Sequence, residues 1–160
     1  MNKESEKALQ VSLDRETRNQ SKGEVLYKNF LAAFSGFSDS NLEEKIKPKS
    51  FRGSIESVYK AFKELREEFP DKFPGLYFSD KGGTPHSKEL ERNLFMLGAF
   101  EMSGRENPRL RYLTISTGAS RAIQTLLEER YGESLKDFIP ISKKFRELVK
   151  NFEEPKSFSL

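Results

Sequence analysis

Residues 84–121 read TPHSKELERNLFMLGAFEMSGRENPRLRYLTISTGASR. Three signals follow one another in this stretch. Pro85 is suited to opening a helix and Ser87 to capping one, with Glu89 and Glu91 in the first turn, where acid favours the helix dipole. Leu90, Leu94 and Leu97 line one face of that helix, widened by Phe95, and Gly98 is placed to end it as a left-handed cap. Ala99–Ser103 and Arg109–Ile115 then read as two strands, joined by the loop Gly104-Arg105-Glu106-Asn107-Pro108. In the return strand Leu110, Tyr112 and Thr114 share one face, and Arg109, Arg111, Leu113 and Ile115 share the other. The arginines fall near the tip and the aliphatics near the base. Ser116 or Thr117 caps a second helix, whose stripe is Ala119, Ala122, Ile123, Leu126, Leu127 and Tyr131, and Gly132 ends it.

The flanking segments supply the surface on which this helix–hairpin–helix unit packs. Over residues 51–69, Phe51, Ile55, Val58, Tyr59, Phe62, Leu65 and Phe69 fall on one helical stripe, with Ser54 as N-cap and Pro70 as the stop. Burying such side chains stabilises by about 2 kcal/mol each before chain entropy is set against it. Residues 24–37 form a short, strongly apolar helix that Gly36 and the polar cluster after it stop. Ser40 or Asn41 caps one further turn around Leu42 and Ile46, which Pro48 ends. Leu76–Phe78 reads as a brief strand and Asp80–Gly83 as a turn. A last helix starts at Ser142, just after Pro140, with Phe145, Leu148, Val149 and Phe152 inward.

The chain of 160 residues divides into a flexible N-terminal arm (1–22), a single domain (23–153) and a tail (154–160). With 14 Phe and no Trp, the core has to rest on phenylalanine. The absence of Cys rules out disulfides and thiolate zinc sites. No apolar run approaches the roughly 20 residues that a membrane helix needs. The N-terminus lacks the apolar segment of a secretory signal. A cytoplasmic protein with no membrane partner is expected. The net charge of +3 is modest, but basic residues cluster. Lys45, Lys47, Lys49, Arg52, Lys60 and Lys63 face only Glu56 within 45–63; Arg105, Arg109, Arg111 and Arg121 face only Glu106 within 102–121. Such segregation can mark a nucleic-acid face, though solvated helix and turn surfaces also carry Lys and Arg.

Two motifs carry a family resemblance. The run from Gly83 to Phe100, GTPHSKELERNLFMLGAF, resembles the helix of winged-helix regulators that a glycine and an apolar residue lead into the wing. Arg111-Tyr112-Leu113-Thr114, leading to Gly118 and a helix, is similar to the Tyr-x-Leu-Thr-x-x-Gly ending of PadR-like and MarR-like proteins, with its Gly one position later. The resemblance spans roughly residues 51–131. It implies an α+β, mostly α fold: a winged-helix domain with a small hairpin wing and extra N- and C-terminal helices. In that frame the helix at 51–69 and the strand at 76–78 are the preceding helix and the first strand. Only one helix then separates strand from hairpin, where a helix-turn-helix has two. This moves the DNA expectation from the groove to the wing.

By that resemblance, a regulator of transcription would touch double-stranded DNA through Ser87, Lys88 and Arg92 on the helix and Arg105, Arg109 and Arg111 on the wing. Lys and Arg neutralise phosphates, Ser87 with the helix amides could hold one, and Arg92 could reach a base edge. Glu89 and Glu91 oppose this on the helix. The alternative is a winged-helix protein-interaction module without DNA. The basic run Lys45–Arg52 reads as a backbone clamp or, with more weight, as a solvated linker. Phe30, Phe34 and Phe37 give the first helix more apolar surface than a peripheral helix needs, so it and the last helix are expected to build a homodimer. No enzyme, cofactor or metal site is expected. His86 is the only histidine and reads as a surface or capping residue, and Gly82-Gly83 precedes Thr-Pro rather than the Lys-Ser/Thr of a phosphate loop.

Overall fold

The structure is a computed structural model that describes residues 22–38, 49–80, 83–99, 103–106, 111–132 and 135–153. The elements are α1 (22–35), β1 (Phe51–Ser54), α2 (Ile55–Glu68), α3 (Lys88–Ala99), β2 (Gly104–Glu106), β3 (Tyr112–Ile115), α4 (Thr117–Tyr131) and α5 (Leu135–Glu153). The fold is α+β and mostly helical. Most of the arm, the turn around Leu42 and Ile46, Lys45 and Lys47 of the basic run, the wing tip and the tail lie outside the described residues.

Serine hydroxyls start three helices, as expected. Ser54 accepts from the Ser57 amide at 3.1 Å, Ser87 from Leu90 at 3.2 Å and Ser116 from Ala119 at 3.1 Å. Each satisfies one of the donors that a helix start leaves open. Gly36, with φ of 69°, ends α1. Gly98 does not end α3 this way: it stays helical, and the helix runs one residue past it.

The three strands form one antiparallel sheet in the order β1–β3–β2. β1 pairs with β3 from Phe51 opposite Ile115 to Ser54 opposite Tyr112. The first strand is therefore Phe51–Ser54, and residues 76–78 are not a strand. Leu76 is buried as core, and only Ser79 bridges His86 across the turn. β1 escaped notice because Phe51 lies on the helical stripe of α2, and the strand enters that helix with no residue between them. The hairpin is also displaced. Gly104–Glu106 is strand rather than loop, with Gly104 opposite Thr114. A Cβ at Gly104 would sit 3.0 Å from the Thr114 hydroxyl, so this glycine serves close approach across the sheet, not a turn.

The core is a phenylalanine cluster where α1, β1, α2 and α5 meet. The Phe145 ring lies 4.9 Å from Phe34, 5.0 Å from Phe62 and 5.4 Å from Phe51. Phe30 and Phe37 are buried with them. The apolar excess that suggested a homodimer through α1 is thus consumed inside one chain. Two buried amides fasten α1 to its surroundings. Asn29 donates to the carbonyls of Val25 at 2.9 Å and Lys72 at 3.0 Å, and Gln124 donates to Ser35 O at 2.9 Å.

α5 starts at Leu135, seven positions before the expected Ser142, with Pro140 inside it. Proline removes one intrahelical hydrogen bond near the helix start. Burial of Phe138, Ile139 and Ile141 around it more than offsets that loss. Leu126 and Phe152, both expected inward, stay exposed.

At its far end α5 closes the junction of β1 and α2. The Glu153 carboxylate accepts from the Ser54 amide. Partial burial alone would raise its pKa. The Ser54 amide, the Ser54 and Ser57 hydroxyls and the Arg52 charge together outweigh that and hold it below the usual glutamate value. A depressed carboxylate stabilises the fold above its unfolded pKa and stops doing so as acid protonates it. Glu153→Gln should therefore cost about 1 kcal/mol at neutral pH, a figure reduced for its exposure. The difference from wild type should shrink as pH falls below the ordinary value of 4.5 and vanish once pH has passed through the depressed value of the folded state. Urea unfolding of both proteins across pH measures it; a pH-independent difference would contradict the linkage.

Candidate nucleic-acid interface

α3 presents a mixed outer face. Leu90, Leu94 and Leu97 face the core, while Lys88, Glu91, Arg92, Phe95 and Met96 are exposed. Phe95 does not widen the buried stripe: it is 74% exposed, because one residue beyond Leu94 turns the side chain by about 100°. Met96 beside it is 40% exposed. The sequence reading added Phe95 to the apolar face and did not single out Met96.

Ser87 is only 1% exposed. Its hydroxyl accepts from Leu90 and donates to the Glu89 carboxylate at 3.0 Å. It holds the start of α3 and does not offer itself to a phosphate. His86 fixes the same start from the other side. Its backbone exchanges two 2.8 Å hydrogen bonds with Ser79. Its ring stacks on Tyr59 of α2, with centroids 5.7 Å apart and 12° between planes, and its Nε2 lies 3.4 Å from the Glu91 carboxylate. Gly83, at φ of 85°, makes the turn that brings this bridge together.

In the hairpin, Arg105 stands in β2 opposite Leu113. Arg109 lies outside the described residues. Arg111 is exposed at the entry to β3, and its carbonyl accepts from the Ile55 amide at 2.7 Å. The wing base is thereby tied to the first residue of α2. Next to it, the Arg52 guanidinium sits 4.0 Å over the Tyr112 ring, a cation–π contact across β1 and β3.

These pieces enclose a cleft of about 670 Å³. Ser54, Ile55 and Glu56 at the start of α2 form one wall, Thr84, Pro85, His86 and Glu91 another, and Arg111 with Tyr112 the third. Lys88 lies round the corner, in a shallower depression of about 230 Å³ that His86 also lines. The structure thus brings Arg111 together with the start of α3, and leaves Lys88 and Arg92 on the helix exterior. Glu56 is paired with Lys60 at 3.0 Å, which tempers the acid in the cleft. Tyr59, Tyr112 and Arg52 are contributors that sequence reasoning did not assign to the site. Among the described residues no three His, Cys, Asp or Glu side chains gather as a metal-holding group, and no helix is long and apolar enough to cross a membrane.

No protein-family model matches the chain, and no curated protein or solved structure matches it either.

Proposed function

We propose that this chain is a winged-helix DNA-binding protein, a small regulator of transcription that grips the duplex between α3 and the wing. The observation that carries the reading is topological. The elements run α1–β1–α2–α3–β2–β3, and the sheet order is β1–β3–β2. With β1 at Phe51–Ser54, two helices precede the hairpin. Two helices before the hairpin is the number a winged helix has, although residues 69–87 rather than a short turn join them here. Lys88, Arg92 and Arg111 supply the phosphate contacts, with Arg105 and Arg109 further along the wing. Arg92 is the residue of α3 suited to a guanine edge.

A salt titration of affinity for a mixed-sequence duplex tests this. Affinity should fall steeply with salt, and Arg111→Ala should weaken binding to all sequences alike and shrink the salt slope by about one. A protein that retains no duplex at low salt refutes the reading. One observation favours a second reading in that event. Phe95 and Met96 form an exposed apolar pair on the face of α3 that would meet DNA, and such a pair also suits a protein partner.

A further inference from the structure

Along the outer edge of β1, α5 lays down Arg146, Val149, Lys150 and Glu153, at spacings that put them on one face. Together with Ser50, Phe51 and Arg52 they line a depression of about 430 Å³. Two cations here, Arg146 and Lys150, stand beside one carboxylate; the Arg52 guanidinium is taken up by the Tyr112 ring. That carboxylate is committed to the Ser54 amide. Among the described residues, neither Arg146 nor Lys150 pairs with an acid.

Arg146 is the unusual member. Its terminal nitrogens donate to two backbone carbonyls, Ser50 at 3.4 Å and Lys49 at 3.3 Å, both long. Its Nε is sealed from solvent without a partner. Burial pushes the guanidinium below its ordinary pKa. A cation held this way costs desolvation energy that no counter-charge repays. Capping the edge of β1 would need donors, and a neutral amide could supply them. It would not need a buried cation with a second one, Lys150, beside it on one depression.

We propose that this depression binds a phosphate group. Lys150 offers a point charge and Arg146 the guanidinium hydrogens left after its two carbonyl contacts, beside the apolar Phe51 and Val149 walls. The volume exceeds that of a lone phosphate, which leaves space for the organic part of a phosphate ester. The site is separate from the α3–wing cleft and does not depend on the DNA reading.

Calorimetric titration of the full chain with inorganic phosphate, at ionic strength held constant with chloride, tests the site. Saturable binding is expected. Lys150→Glu, an exposed position with no structural partner, should weaken it at least tenfold. Arg146→Gln, which keeps donors for the two carbonyls, should weaken it as well. Phosphate that binds no better than chloride, or binds equally to wild type and both variants, overturns the proposal. Displacement of bound phosphate by a short DNA duplex would identify the source as a nucleic-acid backbone. Absence of displacement would identify a free or small-molecule phosphate.

Discussion

Phe145→Ala should remove about 3–5 kcal/mol of stability. Phe145 is fully buried, and its ring contacts Phe34 of α1, Phe51 of β1 and Phe62 of α2. Truncation therefore opens a cavity at the one point where four elements converge. It also forfeits edge and tilted ring contacts that contribute about 0.5–1.5 kcal/mol each beyond the area they bury. The surrounding rings hold one another, so the cavity collapses little. A domain of this size has only about 5–15 kcal/mol in total, so much of the margin goes. Guanidinium unfolding at fixed pH should show the midpoint fall with little change in slope. A loss below about 1 kcal/mol would mean that the phenylalanine cluster is not the organising core. Phe95→Ala, on the exposed face of α3, is the matched control and should move stability by no more than about 0.5 kcal/mol.

Gly53→Ala should cost about 1–3 kcal/mol through overpacking. A Cβ at this position would lie 2.9 Å from Cγ1 of Val149 and 3.0 Å from the tip of the Phe51 ring. Valine in a helix has one strongly preferred rotamer and cannot swing aside. β1 would have to move away from α5, against its pairing with β3. The contact is specific enough for a double-mutant cycle. Val149→Ala removes the obstructing methyl, so the double variant should be at least about 1 kcal/mol more stable than the two single losses predict together. Simple additivity would show that β1 and α5 do not touch there.

What could be read from the sequence was local chemistry. Ser54, Ser87 and Ser116 were legible as caps because a hydroxyl three residues ahead of an amide is a short-range arrangement. The stripe of α2 was legible because its period repeats over 14 residues. β1 was hidden because its pairing partner, Ile115, lies far along the chain, and because Phe51 fits a helical and an extended pattern equally well. That one ambiguity displaced the first strand to residues 76–78 and cost the reading a helix. Gly104 misled in the same manner, since a glycine needed for close approach looks like a glycine needed for a turn. Within the candidate interface, Lys88, Arg92 and Arg111 were expected exposed, and they are. The outward turn of Phe95 follows from helical rotation past Leu94, while the stacking of Arg52 on Tyr112 depends on cross-strand register, which no local pattern encodes. The uncompensated charge of Arg146 is likewise visible only once the neighbours are in place.

The direct passage from β1 into α2 has a mechanical consequence. Ser54 is at once the last residue of the strand and the cap of the helix. The Ile55 amide is bonded to the Arg111 carbonyl at the wing base. A chain with a loop at this point could absorb a small displacement; this one has no slack. Sliding β1 by one residue against β3 would carry the start of α2 along by about 3.3 Å and reverse which face of the pair Phe51 meets. The sheet and the helix therefore behave as a single lever. The distance from the entry of β3 to the start of α2 is thus set by strand register.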